Sequence, residues 1–174
     1  GCTAEGRPYL VLEFVDGKPL LQYSSERGLS IDARLSLFLA VTEGVEASHR
    51  QLILHRDIKP SNVIVGTDGR VKLLDFGIAK LLDHAGSGAV TTRSGWLTPE
   101  YAAPEQRSGG TLTAATDVFQ LGALLYELLT GARAFTLGAA LESRVSEDPS
   151  PPSVHVRALA GDLDAIVLKA LRWS

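Results

Sequence analysis

Between Asn62 and Asp75 the chain reads Val-Ile-Val-Gly-Thr-Asp-Gly-Arg-Val-Lys-Leu-Leu. Two short runs of strand-forming residues flank Gly66-Thr67-Asp68-Gly69, and Asp-Gly is a strong signal for chain reversal. The pattern predicts an antiparallel hairpin. In a hairpin the start of the first strand lies beside the end of the second. Asn62 and Asp75 are therefore expected at one end of a small ribbon, an amide oxygen next to a carboxylate. Hard oxygen donors of this kind suit Mg²⁺, which keeps several waters and binds through few protein groups plus substrate phosphates. Asp57 lies five residues before Asn62 on the same connection, and Lys59 stands between them.

His55-Arg56-Asp57, then Asn62, then Asp75-Phe76-Gly77, then Ala103-Pro104-Glu105 resembles the protein kinase signature set, in the family's order. The resemblance runs from Tyr9 to Arg172. Lys59-Pro60-Ser61-Asn62 and Thr98-Pro99-Glu100-Tyr101 are similar to serine/threonine kinases, the bacterial ones in particular. What it implies is an α+β, protein kinase-like fold. Its mostly helical large lobe would carry a short β-hairpin at the cleft, with the small lobe largely missing. Residues 1–18 would be the end of the small lobe and the hinge. Residues 19–174 would be the large lobe, incomplete at its C-terminal end.

The implied activity is transfer of the ATP γ-phosphate to a protein serine or threonine, with Mg²⁺. Asp57 would take or orient the proton of the attacking hydroxyl, and Lys59 would neutralise charge on the transferred group. Asn62 and Asp75 would hold the magnesium. Leu12 would be the gatekeeper, the backbone of Glu13 and Val15 would meet the adenine edge, and Ile64 would sit under its ring. Thr98 would bond toward Asp57 and Lys59, favouring serine or threonine substrates. Leu97 stands where many members have glycine. Residues 78 to 98 match an activation segment, and phosphate on Thr91, Thr92 or Ser94 would pair with Arg56. Two alternatives are a non-catalytic pseudokinase or interaction module, and a small-molecule phosphotransferase of the same broad fold. Intact large-lobe motifs argue against the first, and Lys59-Pro60, Asp-Phe-Gly and Ala-Pro-Glu against the second.

The flanking sequence fits a helical scaffold. Residues 19 to 27 predict a short helix stopped by Gly28. Ser30 is a predicted N-cap, followed by one apolar face of Ile31, Leu35, Phe38, Thr42, Val45 and His49. His49 is expected to be a satisfied core histidine. Thr116 to Thr130 is apolar on nearly every side, which predicts a buried central helix ending at Gly131. Asp117 on that helix would be a buried carboxylate in need of donors, and by the resemblance it anchors the His55-Arg56-Asp57 turn. Phe119 and Gln120 replace a commoner Tyr-Ser pair, a change expected to be tolerated. A further helix is predicted from 137 to 145, and Asp162 is a predicted cap for a last one carrying Leu163, Ile166, Val167, Ala170 and Leu171. Residues 8 to 15 predict a buried strand ended by Asp16-Gly17.

At 174 residues with a net charge of -3, the chain is expected to be one domain with no electrostatic footprint for nucleic acid. Cys2 is the only cysteine, which excludes an internal disulfide and fits a reducing, cytoplasmic compartment. No histidine pairs with it at zinc spacing. No signal peptide is evident, and the apolar stretch from Val118 to Leu129 is too short to span a bilayer. No membrane contact is therefore expected from this segment, which leaves membrane anchoring of a longer parent open. The dozen residues before the hinge carry no glycine-rich loop, strand lysine or helix C glutamate. Alone, the chain is expected to behave as a fragment with weak nucleotide affinity and negligible turnover.

Overall fold

The hairpin forms where the turn chemistry places it. Strands β2 (Val63–Gly66) and β3 (Val71–Leu73) run antiparallel, with Val63 opposite Leu73 and Val65 opposite Val71. The reversal is closed by the Gly66 amide donating to the Arg70 carbonyl at 2.8 Å. Gly69 takes φ +79°, a conformation open to glycine at little cost. At the other end the Leu74 amide donates to the Asn62 carbonyl at 2.8 Å. The ladder thus ends at Asn62.

This computed structural model describes residues 1–3, 9, 11, 13–74, 98–135 and 149–172. Leu12, Asp75, Leu97, the segment carrying Thr91, Thr92 and Ser94, and the helix expected at 137 to 145 lie outside them.

A third strand, β1 (Gly17–Pro19), completes the sheet on the free edge of β2, with Gly17 opposite Gly66 and Pro19 opposite Ile64. This corrects the strand expected at 8 to 15. The described residues of that run lie in no strand, and Val11 and Phe14 are 86% and 87% exposed. Gly17 begins the pairing that it was expected to end. A Cβ there would lie 2.4 Å from the Val65 carbonyl oxygen, so only a glycine admits this close backbone approach.

Helices follow. Helix α1 spans Leu20–Glu26, and Gly28 turns the chain with φ +56°. Helix α2 spans Ile31–Arg50. Its N-cap is Ser30, whose hydroxyl accepts from the Ala33 amide at 3.3 Å, with Asp32 in the first turn. Helix α3 (Pro104–Ser108) is a short turn of chain. Helix α4 (Ala114–Thr130) is capped by Thr113, whose hydroxyl accepts from the Ala115 amide at 3.2 Å, and stops at Gly131 with φ +73°. Helix α5 spans Asp162–Ala170. Its N-cap is Gly161 with φ +107°, not Asp162 as the sequence suggested. Asp162 is already the first helical residue. Asp164 is the acid with a structural contact, accepting the Ser153 amide at 2.9 Å.

Helix α4 runs between two apolar clusters. Leu124 and Leu128 pack with Leu20, Val41, Val45, Ile58, Val63 and Val65, which joins α1, α2 and the hairpin. Phe119, Ala123, Leu125, Tyr126 and Leu129 pack with Tyr101, Phe135, Leu159, Val167 and Leu171. The all-round apolar pattern is thereby realised. Gly122 marks the crossing with α5, where a Cβ would lie 2.8 Å from that of Ala170. Among the described residues no helix is long and apolar enough to cross a membrane.

Leu124 is fully buried and Leu39 is 60% exposed. Truncating Leu124 to alanine should lower stability by about 3 kcal/mol, whereas Leu39→Ala should change it by about 0.5 kcal/mol or less. Urea unfolding of the two variants makes the comparison.

Candidate active site

The site is built on the first turn of α4. Asp117 is fully buried, and its carboxylate accepts three hydrogen bonds. The His55 amide donates at 2.9 Å, the Arg56 amide at 2.7 Å, and His49 Nε2 lies at 2.7 Å. Burial of a carboxylate is tolerable only with such compensation. His49 is thus a satisfied histidine, as expected. Arg56 adopts φ +65°, a strained backbone conformation for any residue with a Cβ. The bonds to Asp117 hold the loop in this shape. Burial pushes the His55 imidazole below its ordinary range, with the Asp117 charge opposing the effect.

Two glutamines complete the hold. Gln120 Oε1 accepts from the Ile58 amide at 2.9 Å, and its Nε2 donates to Gln106 Oε1 at 2.8 Å and to the Arg56 carbonyl at 3.3 Å. Gln106 donates to the same carbonyl at 2.7 Å and accepts from the Ala103 amide at 2.9 Å. Neither residue was expected to serve the site. The available signal was an amide three residues after Asp117, on the same face of an otherwise apolar helix.

On this frame Asp57, Lys59, Asn62 and Thr98 converge. Lys59 Nζ lies 3.0 Å from Asp57 Oδ2 and donates to the Thr98 hydroxyl at 3.3 Å. Asn62 Nδ2 donates to both the carboxylate and the carbonyl of Asp57, each at 2.9 Å. The amide nitrogen of Asn62 is thereby committed to Asp57. Its Oδ1 accepts only a long bond from Ser61 Oγ, at 3.4 Å, among the described contacts. An oxygen left in that way fits a hard cation. Among the described residues no group of three His, Cys, Asp or Glu could hold a metal by itself.

Thr98 is fixed by a turn in which its carbonyl accepts the Tyr101 amide at 3.1 Å. The Tyr101 hydroxyl donates to Glu127, and Arg133 bridges Glu100 and Glu127. Burial, then the bond to Glu127, pushes the Tyr101 phenol far up, so it stays protonated as a donor. Thr116 donates to Glu105, which ties the start of α3 to α4. Three of the residues expected near adenine are among those described. Glu13 is exposed and reaches Lys72 on β3, Val15 is half-buried, and Ile64 is half-buried on β2 opposite Lys72. A recess of about 920 Å³ lies between α2 and the hairpin turn, lined by residues such as Leu37, Gly44 and Val71. It does not include Asp57, so the convergence of polar groups, and not cavity size, marks the site.

Comparison with known proteins gives a consistent picture. Residues 2–150 match the family model described as the protein kinase domain. The chain is 38% identical over 168 residues to the serine/threonine-protein kinase PknB of Mycobacterium tuberculosis, covering 94% of this chain and 27% of that one. It is 40% identical over 168 residues to a probable serine/threonine-protein kinase of Streptomyces coelicolor, covering 94% and 25%. The chain thus spans about a quarter of the length of these curated relatives. Among solved structures it resembles a double mutant of the Mycobacterium tuberculosis PknI kinase domain. The TM-score is 0.69 at 25% identity, with 93% of this chain and 57% of that chain covered.

Two outcomes follow from the anchor at Asp117. Asp117→Ala removes the acceptor of two buried amides and should lower stability by about 3 kcal/mol or more, read by urea unfolding. The second concerns pH. The folded-state pKa of His55 lies below its unfolded value of 6.5, so the folded chain binds fewer protons. Its contribution is complete above that value and falls as pH drops through it toward the folded-state value. The thermal midpoint should therefore decline below about pH 6.5, and His55→Phe should flatten that slope relative to wild type.

Proposed function

The chain belongs to the protein kinase domain family, and from that membership we propose that the protein carrying it transfers the γ-phosphate of ATP to serine and threonine side chains of other proteins. The observation that carries this reading is the convergence of Asp57, Lys59, Asn62 and Thr98 on one loop frame. In it, Asp57 takes or orients the proton of the acceptor hydroxyl. Its carboxylate is fixed by Asn62 and Lys59 rather than left to rotate, and such a base works through placement more than strength. Lys59 bridges Asp57 and Thr98, which sets a positive charge between the base and the segment that receives the substrate. That charge offsets the negative charge gathering on the phosphoryl group in transit.

Mg²⁺ is the metal whose chemistry suits the donors, through Asn62 Oδ1 and the carboxylate of Asp75. When bound, it neutralises the phosphates of ATP. On the same reading, residues 1–18 are the end of the small lobe and the hinge, with Leu12 as gatekeeper, the backbone of Glu13 and Val15 at the adenine edge and Ile64 under its ring, and residues 19–174 belong to the large lobe. A cytoplasmic active site accords with the single cysteine.

The test uses the intact parent protein, radiolabelled ATP and a generic protein substrate. Label should appear on serine or threonine by phosphoamino-acid analysis. Asp57→Asn should lower kcat about a hundredfold or more. Chelation of divalent ions should abolish transfer, and Mg²⁺ should restore it. Undiminished transfer by Asp57→Asn would sink the assignment.

A further inference from the structure

Gln120 has a specific relation to Asp57. The Arg56 carbonyl belongs to the peptide unit on the N-terminal side of Asp57, and the Ile58 amide to the unit on its C-terminal side. Gln120 holds both, one with each end of its side-chain amide. Both planes flanking Asp57 are therefore tied to a single side chain that is 2% exposed, on a helix most of whose residues are buried. The preceding amides, of His55 and Arg56, are held by Asp117 one turn earlier.

The arrangement does not stop at Gln120. Its Nε2 also donates to Gln106 Oε1, and Gln106 donates to the same Arg56 carbonyl. Gln106 lies on α3, just after the turn that fixes Thr98, and its Oε1 accepts the Ala103 amide at the head of that helix. If α3 leaves this position, the Arg56 carbonyl loses its shorter bond, 2.7 Å against 3.3 Å, and Gln120 Nε2 loses one acceptor. Buried amide groups left without partners are costly, so the pair is held together or released together.

We propose that Gln120 is a positioning residue for Asp57, and that its bond to Gln106 makes the alignment of Asp57 conditional on the docking of the substrate-side segment at α3. Asp57 is then fully aligned only when residues 98–108 are in place, which couples substrate-site order to the chemical step without any contact between Gln106 and the substrate. This rests on the phosphotransfer reading above.

The experiment compares the intact parent protein with Gln120→Leu, Gln106→Leu and the double variant, and reads two quantities. The first is steady-state transfer to a peptide. Each single variant should lower kcat by about tenfold with KM for ATP within twofold, and the double variant should lose no more than the worse single. Multiplicative losses, or losses confined to KM, overturn the proposal. The second is hydrogen exchange at the Ile58 amide, which needs no turnover. Gln106→Leu removes no bond made by Ile58, yet exchange there should accelerate at least fivefold. Unchanged exchange at Ile58 in Gln106→Leu overturns the coupling, and this reading stands even where Gln120→Leu does not fold. A wild-type protein that phosphorylates nothing refutes the kinase reading instead, and the exchange comparison then decides on the glutamine pair by itself.

Discussion

The carboxylate of Asp117 is the constraint from which the site's shape follows. A carboxylate buried on a central helix needs donors, and few are within reach. The loop supplies two consecutive backbone amides and α2 supplies a histidine. Two consecutive amides can converge on one carboxylate only if the backbone between them is sharply turned. Arg56, at φ +65°, is where that turn is made. Strain of this kind amounts to about 1–2 kcal/mol and persists because the surrounding bonds over-determine it. Loop geometry is thus dictated by the helix beneath it, and the loop in turn makes the buried acid tolerable.

Helix α4 can play this part because it is packed into two apolar clusters. One side belongs to a cluster with α1, α2 and the hairpin, and the other to a cluster with α5 and the segment around Tyr101. A helix wetted on one face has a soft direction of motion. Most of this one is buried, with only Ala114, Ala115 and Val118 exposed, and at Gly122 it approaches α5 too closely for a methyl group. The groups it projects, Asp117 and Gln120, inherit that fixity. Positioning to within fractions of an ångström is what phosphoryl transfer asks of a protein that does little covalent chemistry itself.

Much of this was legible in the sequence. The hairpin from 63 to 74, the capped helix after Ser30, the buried helix ending at Thr130 and the need of Asp117 for donors all follow from local pattern and turn chemistry. What escaped depended on tertiary proximity. Gly17 looked like a strand terminator because its real task, admitting the Val65 carbonyl, involves a partner 48 positions away in sequence. Gln120 looked like a harmless exchange because its partners, Arg56, Ile58 and Gln106, are assembled only by the fold. Asp162 was read as a cap because acids favour helix starts, a preference that its place in the first turn also satisfies. Within the site, the convergence of Asp57, Lys59, Asn62 and Thr98 came from the family resemblance and not from periodicity. Leu12 and Asp75 remain outside the described residues.

The bonds that shape the loop have a further consequence, for the order in which the molecule is made. His55, Arg56 and Ile58 are tied to partners 62, 61 and 62 residues further along the chain. Closing spans of that length waits until the intervening chain exists and α4 is seated, because the entropy of closure is lost before any contact repays it. The hairpin and α2, built from near neighbours, need no such delay. A nascent chain therefore carries Asp57 long before it carries the geometry that makes Asp57 useful, and a partly unfolded one loses that geometry before its helices. Competence at this loop is a late property of the chain and reports on the completeness of the fold around it.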